Sequence, residues 1–192
     1  MTAFETFTHN GFTVKIHHDN SGTESPRQDS NLGVFWTMER NQKSPDALIV
    51  RGDAKASLVY TLRCADNWHA IFKALDAQAV WLPVWKYEHS GVAYAAAENN
   101  PFSCPWDSGQ AGVIFVLKAD IRKEYGVNRV DPKTRAKVLT VLMGEVETYS
   151  QWANGEVYGY TVTDTAGDAV ESCWGFIGSL DYVRDEAKAA CA

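Results

Sequence analysis

Apolar and polar residues along the chain follow two periods, one typical of strands and the other of helices. Strands are expected where the two kinds alternate, and helices where apolar residues recur every three or four positions. The predicted strands are 12–16, 31–38, 47–51, 80–87, 92–96, 113–117, 156–163 and 169–176. The predicted helices are 67–78, which an Asp66 or Asn67 cap begins, 120–125, 132–154 and 180–190.

Short turns join several of these strands to their neighbours. Residues 89–91 connect strands 80–87 and 92–96, and residues 165–168 connect the last two strands in the strongest hairpin signal. Residues 41–45 are a further predicted turn, and Pro83 predicts an edge strand or a bulge because proline has no N–H to donate. Strands joined in this way, with helices between them, predict an α+β fold with a mainly antiparallel sheet and helices packed on it.

The composition is that of a folded domain. Hydrophobic residues make up 45% of the chain and charged residues 22%, which excludes wholesale disorder. A length of 192 residues is enough for one good core, so we expect a single domain over 1–192. The formal net charge of −6 argues against nucleic-acid binding as the main activity, and no direct nucleic-acid partner is expected.

Neither the N-terminus nor the cysteines indicate export or a zinc knuckle. Residues 1–5 lack a basic segment followed by an apolar one, and no apolar run is long enough to span a membrane. The four cysteines, which show no C-x-x-C spacing, are Cys64, Cys104, Cys173 and Cys191. We therefore expect a cytoplasmic protein with reduced thiols and no membrane partner.

The most unusual stretch is 101–110, Pro-Phe-Ser-Cys-Pro-Trp-Asp-Ser-Gly-Gln, which runs directly into an apolar strand. One hypothesis makes Cys104 a nucleophile, with His89 as its base and Asp107 or Gln110 as the orienting or oxyanion group. Pro105 counts against this hypothesis, because it removes a backbone N–H that often stabilises an oxyanion.

The alternative for the same stretch is structural. In this interpretation Asp107 and Ser108 cap backbone amides in a turn, while Phe102 and Trp106 fill the core. Cys104 is then an inert thiol. This alternative is also compatible with a binding role.

Histidines and carboxylates occur near one another in the sequence, but their spacing does not predict a metal site. Consecutive residues of a strand point to opposite faces, which separates His17 from His18. A site made from His17, Asp19, His89 and Asp107 would need three distant segments to converge. We expect no metal and no cofactor.

Acidic residues are concentrated in the C-terminal third, where arginine and lysine are few. They are Glu145, Glu147, Glu156, Asp164, Asp168, Glu171, Asp181, Asp185 and Glu186. One hypothesis is a surface that occupies a basic groove on a partner. The other is a solvated helix face on which Arg184 and Lys188 pair with Asp181 and Asp185. The candidate binding residues are Trp106, Asp107, Glu156, Asp164, Asp168 and Glu171.

Several short motifs carry a resemblance to a known family. They are Asp19, Ser25-Pro26-Arg27, Asn31-Leu32-Gly33, His89-Ser90-Gly91, 102–110, 121–126, 155–160 and 171–176. Through them the chain resembles a family of uncharacterised proteins from tailed phages and other mobile elements, with 102–110 the most specific motif. Residues 41–79 do not share the resemblance and are expected to be a divergent or inserted segment.

The resemblance implies an origin rather than a chemistry, namely a phage or mobile-element accessory gene. Together with the acidity, it leads us to expect a protein that binds and inhibits a host protein or defence complex, of the anti-CRISPR or anti-restriction type. The alternative is a small cysteine-dependent hydrolase or transferase that uses Cys104 and His89.

Overall fold

The computed structural model describes residues 3–38, 44–46, 54–65 and 67–191, with the side chains of 54–57 excepted. The strands are β1 (Glu5–His9), β2 (Phe12–His18), β3 (Val34–Thr37), β4 (Ala79–Glu88), β5 (Val92–Ala96), β6 (Ser108–Leu117), β7 (Val157–Thr163) and β8 (Ala169–Ile177). The helices are α1 (Ala54–Arg63), α2 (Trp68–Gln78), α3 (Lys118–Tyr125), α4 (Pro132–Ala153) and α5 (Leu180–Ala189), with a short 3₁₀ turn at Pro26–Gln28.

The chain divides into two compact units. One consists of Met1–Pro26 with Gln151–Ala192, and the other is the continuous segment Arg27–Ser150. Each contains a four-stranded sheet, and the pairings between the described strands are all antiparallel.

The unit Arg27–Ser150 is built on the sheet β3-β6-β4-β5, with β6 in its interior. The apolar run 111–117 of β6 is buried throughout, because both faces of the sheet are covered. Helices α1 and α2 cover one face, where Leu58, Leu62 and Leu75 pack against Phe115. On the other face, Phe35 of β3 contacts the ring of Tyr149 in α4 at 5.2 Å between centroids.

The second unit is built on the sheet β1-β2-β7-β8. Alternate residues of β2 and β7, including Val14 and Val162, form a core with Val183 and Ala187 of α5. The opposite face of the sheet carries the Trp174 ring, which lies against Gly159 so closely that any side chain there would overlap it.

The prediction of an α+β fold with antiparallel strands and helices packed on them is confirmed, although the strands form two sheets. Most predicted elements are present within a few residues of their expected bounds, whereas β1 and α1 were not predicted. Asn67 caps α2 by accepting the Ala70 N–H at 3.0 Å. The alternative cap Asp66, the strand 47–51 and residues 41–43 of the predicted turn lie outside the described residues.

The prediction for Pro83 is half right. Strand β4 lies inside its sheet, between β6 and β5, so it is not an edge strand. Its register with β6 does shift close to the proline, between Val84 and Trp85. The extra residue at this bulge is Ala111, which belongs to β6 rather than to β4.

Candidate functional site

The part of the stretch 101–110 that precedes β6, residues 101–107, is called here the Trp106 loop and is held in place by a chain of hydrogen bonds. The Asn100 side chain accepts the Phe102 N–H at 3.0 Å and donates to Ser108 Oγ at 2.9 Å. Ser108 Oγ in turn donates to the Cys104 carbonyl at 2.5 Å. These contacts use polar side chains to fix a backbone that two prolines keep out of regular structure.

The loop is also attached to the end of β4. The Asp107 carbonyl accepts the Glu88 N–H at 2.9 Å. The half-buried Phe102 ring lies 5.7 Å from the ring of Tyr87. The expectation that Phe102 is packed inward is therefore correct in part.

Trp106 differs from its expected position. Instead of filling the core, its side chain is 92% exposed. The polar anchors on both sides of it, at Cys104 and Ser108, hold the backbone so that the indole is left outside. An almost fully exposed tryptophan on a restrained loop is unusual, because this side chain gains more than most from burial.

Beside the loop is a concave surface of about 550 Å³, called here the Trp106 groove. Its lining includes Met38, Lys86, Glu88, Trp106, Asp107 and Gln110. Met38 is 42% exposed, and Lys86 forms an ion pair with Glu88 at 2.7 Å. The groove thus presents apolar and charged groups side by side, as the core and rim of a binding surface do.

The structure brings two of the three predicted catalytic residues together. Cys104, which is half-buried, donates from Sγ to Asp107 Oδ2 at 3.1 Å. His89 is exposed in the β4–β5 turn, and its described hydrogen bond is from its backbone N–H to the Gly91 carbonyl at 3.2 Å. The described hydrogen bond of the Gln110 side chain is to the Gly112 carbonyl, at 3.5 Å. The Cys104–Asp107 bond restrains the loop, while His89 as a base remains a prediction.

Four of the acidic candidate residues belong to the other unit, namely Glu156, Asp164, Asp168 and Glu171. The Asp164 carboxylate accepts the N–H groups of Ala166 and Asp168, both at 2.9 Å, and so shapes the β7–β8 turn. Glu156 accepts from the Asn154 side chain at 2.8 Å. Asp168 and Glu171 are exposed, and their side chains do not shape the turn as the Asp164 carboxylate does. Their part in binding remains a prediction.

Two further results concern the acidic C-terminal third. Glu145 does not belong to an acidic surface, because its side chain is only 12% exposed and bonds to Arg27 at 2.9 Å. On α5, the expected ion pairs are present. Arg184 bonds to Asp181 at 2.5 Å, and Lys188 bonds to Asp185 at 3.1 Å.

Residues considered for metal binding have other contacts. His17 is buried and His18 is exposed, which agrees with their expected positions on opposite faces. Partial burial alone would raise the pKa of Asp19, but hydrogen bonds from Ser21 and Thr23 lower it. Among the residues that the structure describes, no three His, Cys, Asp or Glu side chains are grouped to hold a metal ion.

None of the helices in the described segments combines the length and the apolar character that crossing a membrane requires.

A second concave surface was not anticipated from the sequence. It has a volume of about 320 Å³, and we call it the Arg122 pocket. Its lining residues are Val80, Lys118, Arg122, Asn128, Arg129, Val130 and Arg135. The signal was present as six basic residues within 118–135, four of which line the pocket, but the negative net charge of the whole chain hid it.

Comparison with known proteins adds no assignment to this geometry. No protein-family model, no curated protein and no solved structure matches the chain.

Proposed function

We propose that this protein binds another protein and that Trp106 is the anchor of the contact. The observation that carries the proposal is the 92% exposure of Trp106 on a hydrogen-bonded loop. Burying an indole removes roughly 150–250 Å² from water, which at about 25 cal/mol per Å² amounts to roughly 4–6 kcal/mol before the costs of association. Tryptophan is accordingly among the residues most enriched at the centres of protein interfaces.

The restraints on the loop favour binding for a second reason. Ordering a flexible loop at an interface costs conformational entropy, and the contacts of Asn100 and Ser108 lower that cost in advance. The surface that fits this site is an apolar pocket for the indole. Around that pocket the partner needs polar groups that match the Lys86–Glu88 pair and Asp107 at the rim of the Trp106 groove.

The resemblance to tailed-phage and mobile-element proteins supports a host protein or defence complex as the partner, within the cytoplasm of the host cell. The proposed activity is then inhibition by occupation, of the anti-CRISPR or anti-restriction type. The net charge of −6 and the exposed carboxylates of Asp168 and Glu171 support a partner with a basic surface.

The test begins with capture of partners from a host lysate and continues with the purified partner by calorimetry. Because an anchoring tryptophan typically contributes 2 kcal/mol or more, Trp106→Ala is expected to weaken the affinity by about 30-fold or more. Tyr60→Ala is the matched control, since Tyr60 is also a large exposed aromatic (71%) in the same unit. Equal affinities of the Trp106→Ala and Tyr60→Ala variants would contradict the anchor.

A hydrolase or transferase activity with Cys104, His89 and Asp107 is the second candidate, and the Cys104–Asp107 hydrogen bond is the observation in its favour. The two functions are separated by Cys104→Ala. A binding protein keeps its partner and its inhibitory effect in this variant. Loss of the effect in both Cys104→Ala and His89→Ala, with selective alkylation of Cys104 in the wild type, would instead favour the enzyme.

A further inference from the structure

The Arg122 pocket concentrates positive charge in a chain that is acidic as a whole. Lys118, Arg122, Arg129 and Arg135 all line it, together with the amide side chain of Asn128, whereas the net charge of the protein is −6. None of the lining residues is a carboxylate. Cations gathered around one concavity repel one another, so their proximity indicates an anionic ligand rather than a contribution to stability.

Local structure places these side chains around the cavity. Helix α3 ends at Gly126, whose φ of 63° is the left-handed conformation in which glycine is favoured. The N–H groups of Gly126 and Val127 both bond to the Arg122 carbonyl, which turns the chain back along the end of the helix. Arg129 follows in this turn, and Arg135 lies in the first turns of α4.

The carboxylates within 118–135 are Asp120, Glu124 and Asp131, and none of them lines the pocket. Asp131 caps α4 by accepting the Thr134 N–H at 2.7 Å. Among the ion pairs between described residues, none involves Arg122, Arg129 or Arg135.

Lys118 has a structural contact of its own. Its Nζ donates to the Asp76 carbonyl at 2.7 Å and to the Ala77 carbonyl at 3.3 Å, at the end of α2. The three arginines are therefore the groups that can hold a ligand, with Lys118 adding charge from the side.

We propose that the Arg122 pocket binds the phosphate groups of a small phosphorylated molecule with two or more linked phosphates. The planar guanidinium fork matches the geometry of phosphate oxygens and donates two parallel hydrogen bonds to them. Three arginines balance the charge of a diphosphate, and the Asn128 amide supplies a neutral donor. Val80 and Val130 add apolar surface for the remainder of the ligand.

The size of the pocket and the charge of the protein favour a small ligand over a nucleic acid. A volume of about 320 Å³ is at the lower end of the range for small-molecule sites. A long polyanion would additionally meet the field of a protein with a net charge of −6, which opposes binding.

The test is calorimetric titration of the 192-residue chain with inorganic pyrophosphate at low ionic strength. Arg122→Gln and Arg129→Gln are each expected to weaken binding about tenfold or more, because each removes charge-assisted hydrogen bonds. Lys123→Gln is the matched control, since Lys123 is adjacent to Arg122 on α3 and exposed but does not line the pocket. All three positions are exposed, and thermal unfolding verifies that each variant is folded.

Each outcome of the titration decides the proposal. Saturable binding of pyrophosphate that depends on both arginines, with no effect of Lys123→Gln, supports it. Absence of binding, or equal weakening in Lys123→Gln, overturns it, as does equally tight binding of citrate, an anion of similar charge without phosphate. A 12-nucleotide single strand that binds through the arginines where pyrophosphate fails would overturn it in favour of a nucleic-acid surface. The Trp106 proposal is independent of all these outcomes.

Discussion

Replacement of Arg27 tests how the unit Arg27–Ser150 is held together. The side chain is 1% exposed, and its hydrogen bonds to described residues include two to the Asp46 carboxylate and one each to Glu145, the Asn31 side chain and the Gly33 carbonyl. Burial alone would lower the pKa of Arg27, but the carboxylates of Asp46 and Glu145 outweigh it and the pKa is raised. The side chain therefore stays charged at every pH below its ordinary value, and a measurement at pH 7 samples the complete network.

The expected loss of unfolding free energy in Arg27→Met follows from the charges that the substitution would leave without a partner. Asp46 and Glu145 would keep their negative charges at side-chain exposures of only 17% and 12%, without the cation between them. Removing one partner from a buried ion pair typically costs about 3–5 kcal/mol of unfolding free energy. Residual access of water to both carboxylates places our expectation at about 3–4 kcal/mol, a large part of the total stability of an ordinary domain.

The assay combines urea unfolding with amide hydrogen exchange. The N–H groups of Leu32 and Gly33 bond to Glu145 and that of Phe35 bonds to Asp46, so these amides report on the network directly. Arg27→Met should lower their protection together with the global stability. Arg27→Lys should lose about half as much unfolding free energy as Arg27→Met, because lysine keeps the positive charge but cannot replace the planar guanidinium fork.

Arg63→Met is the control, since Arg63 is exposed near the end of α1 and substitutions at such sites usually change stability by about 0.5 kcal/mol or less. A loss below about 1 kcal/mol in Arg27→Met would refute the reasoning. So would a loss equal to that of Arg63→Met.

Two further predictions concern backbone packing and helix capping. Gly112→Ala should destabilise the protein by about 1–3 kcal/mol in urea unfolding, because its new Cβ would overlap the Trp36 carbonyl oxygen. Gly109 lies on the same strand with open space around it, so Gly109→Ala should be nearly neutral. Similar losses of unfolding free energy in both variants would contradict this prediction. Asp131→Ala should lower the melting temperature at pH 7. The backbone N–H of Thr134 lowers the pKa of Asp131. The cap is therefore fully stabilising at pH values above the ordinary carboxyl pKa of about 3.9, and it is lost as the pH falls through the lowered pKa. A difference in melting temperature between wild type and Asp131→Ala that persists unchanged at about pH 2 would contradict this.

Elements whose residues alternate or repeat strongly could be predicted from the sequence. Helix α4 has a capping Asp131 at its start and the apolar stripe Val138, Leu142 and Val146 along one side, and all three stripe residues are buried. Strand β1 could not be identified in this way, because Phe7 is the one strongly apolar residue among its five. Helix α1 was missed although Leu58, Val59 and Leu62 have helical spacing, since an apolar pattern of little more than one turn is a weak signal.

The candidate sites were less predictable than the fold, for a physical reason. Hydrophobicity measures how much a side chain gains from burial, but the backbone path decides whether burial occurs, and polar anchors hold Trp106 outside. The Arg27 network joins residues up to 118 positions apart, which no local pattern reveals. Conversely, the Arg122 pocket is local in sequence, and a count of charges within 118–135 would have found it.

The division of the chain into units has a consequence for the order of synthesis. Strand β2 pairs with β7, from Thr13 opposite Thr163 to His18 opposite Tyr158, so 140 to 150 residues separate the partners. The segment Arg27–Ser150 is continuous and leaves the ribosome before β7 is made. At about 5–20 residues per second, the β1–β2 hairpin waits roughly 10–30 s for its partner, with one row of backbone N–H and C=O groups unpaired. The unit built around β2 and β7 is therefore the last to be completed.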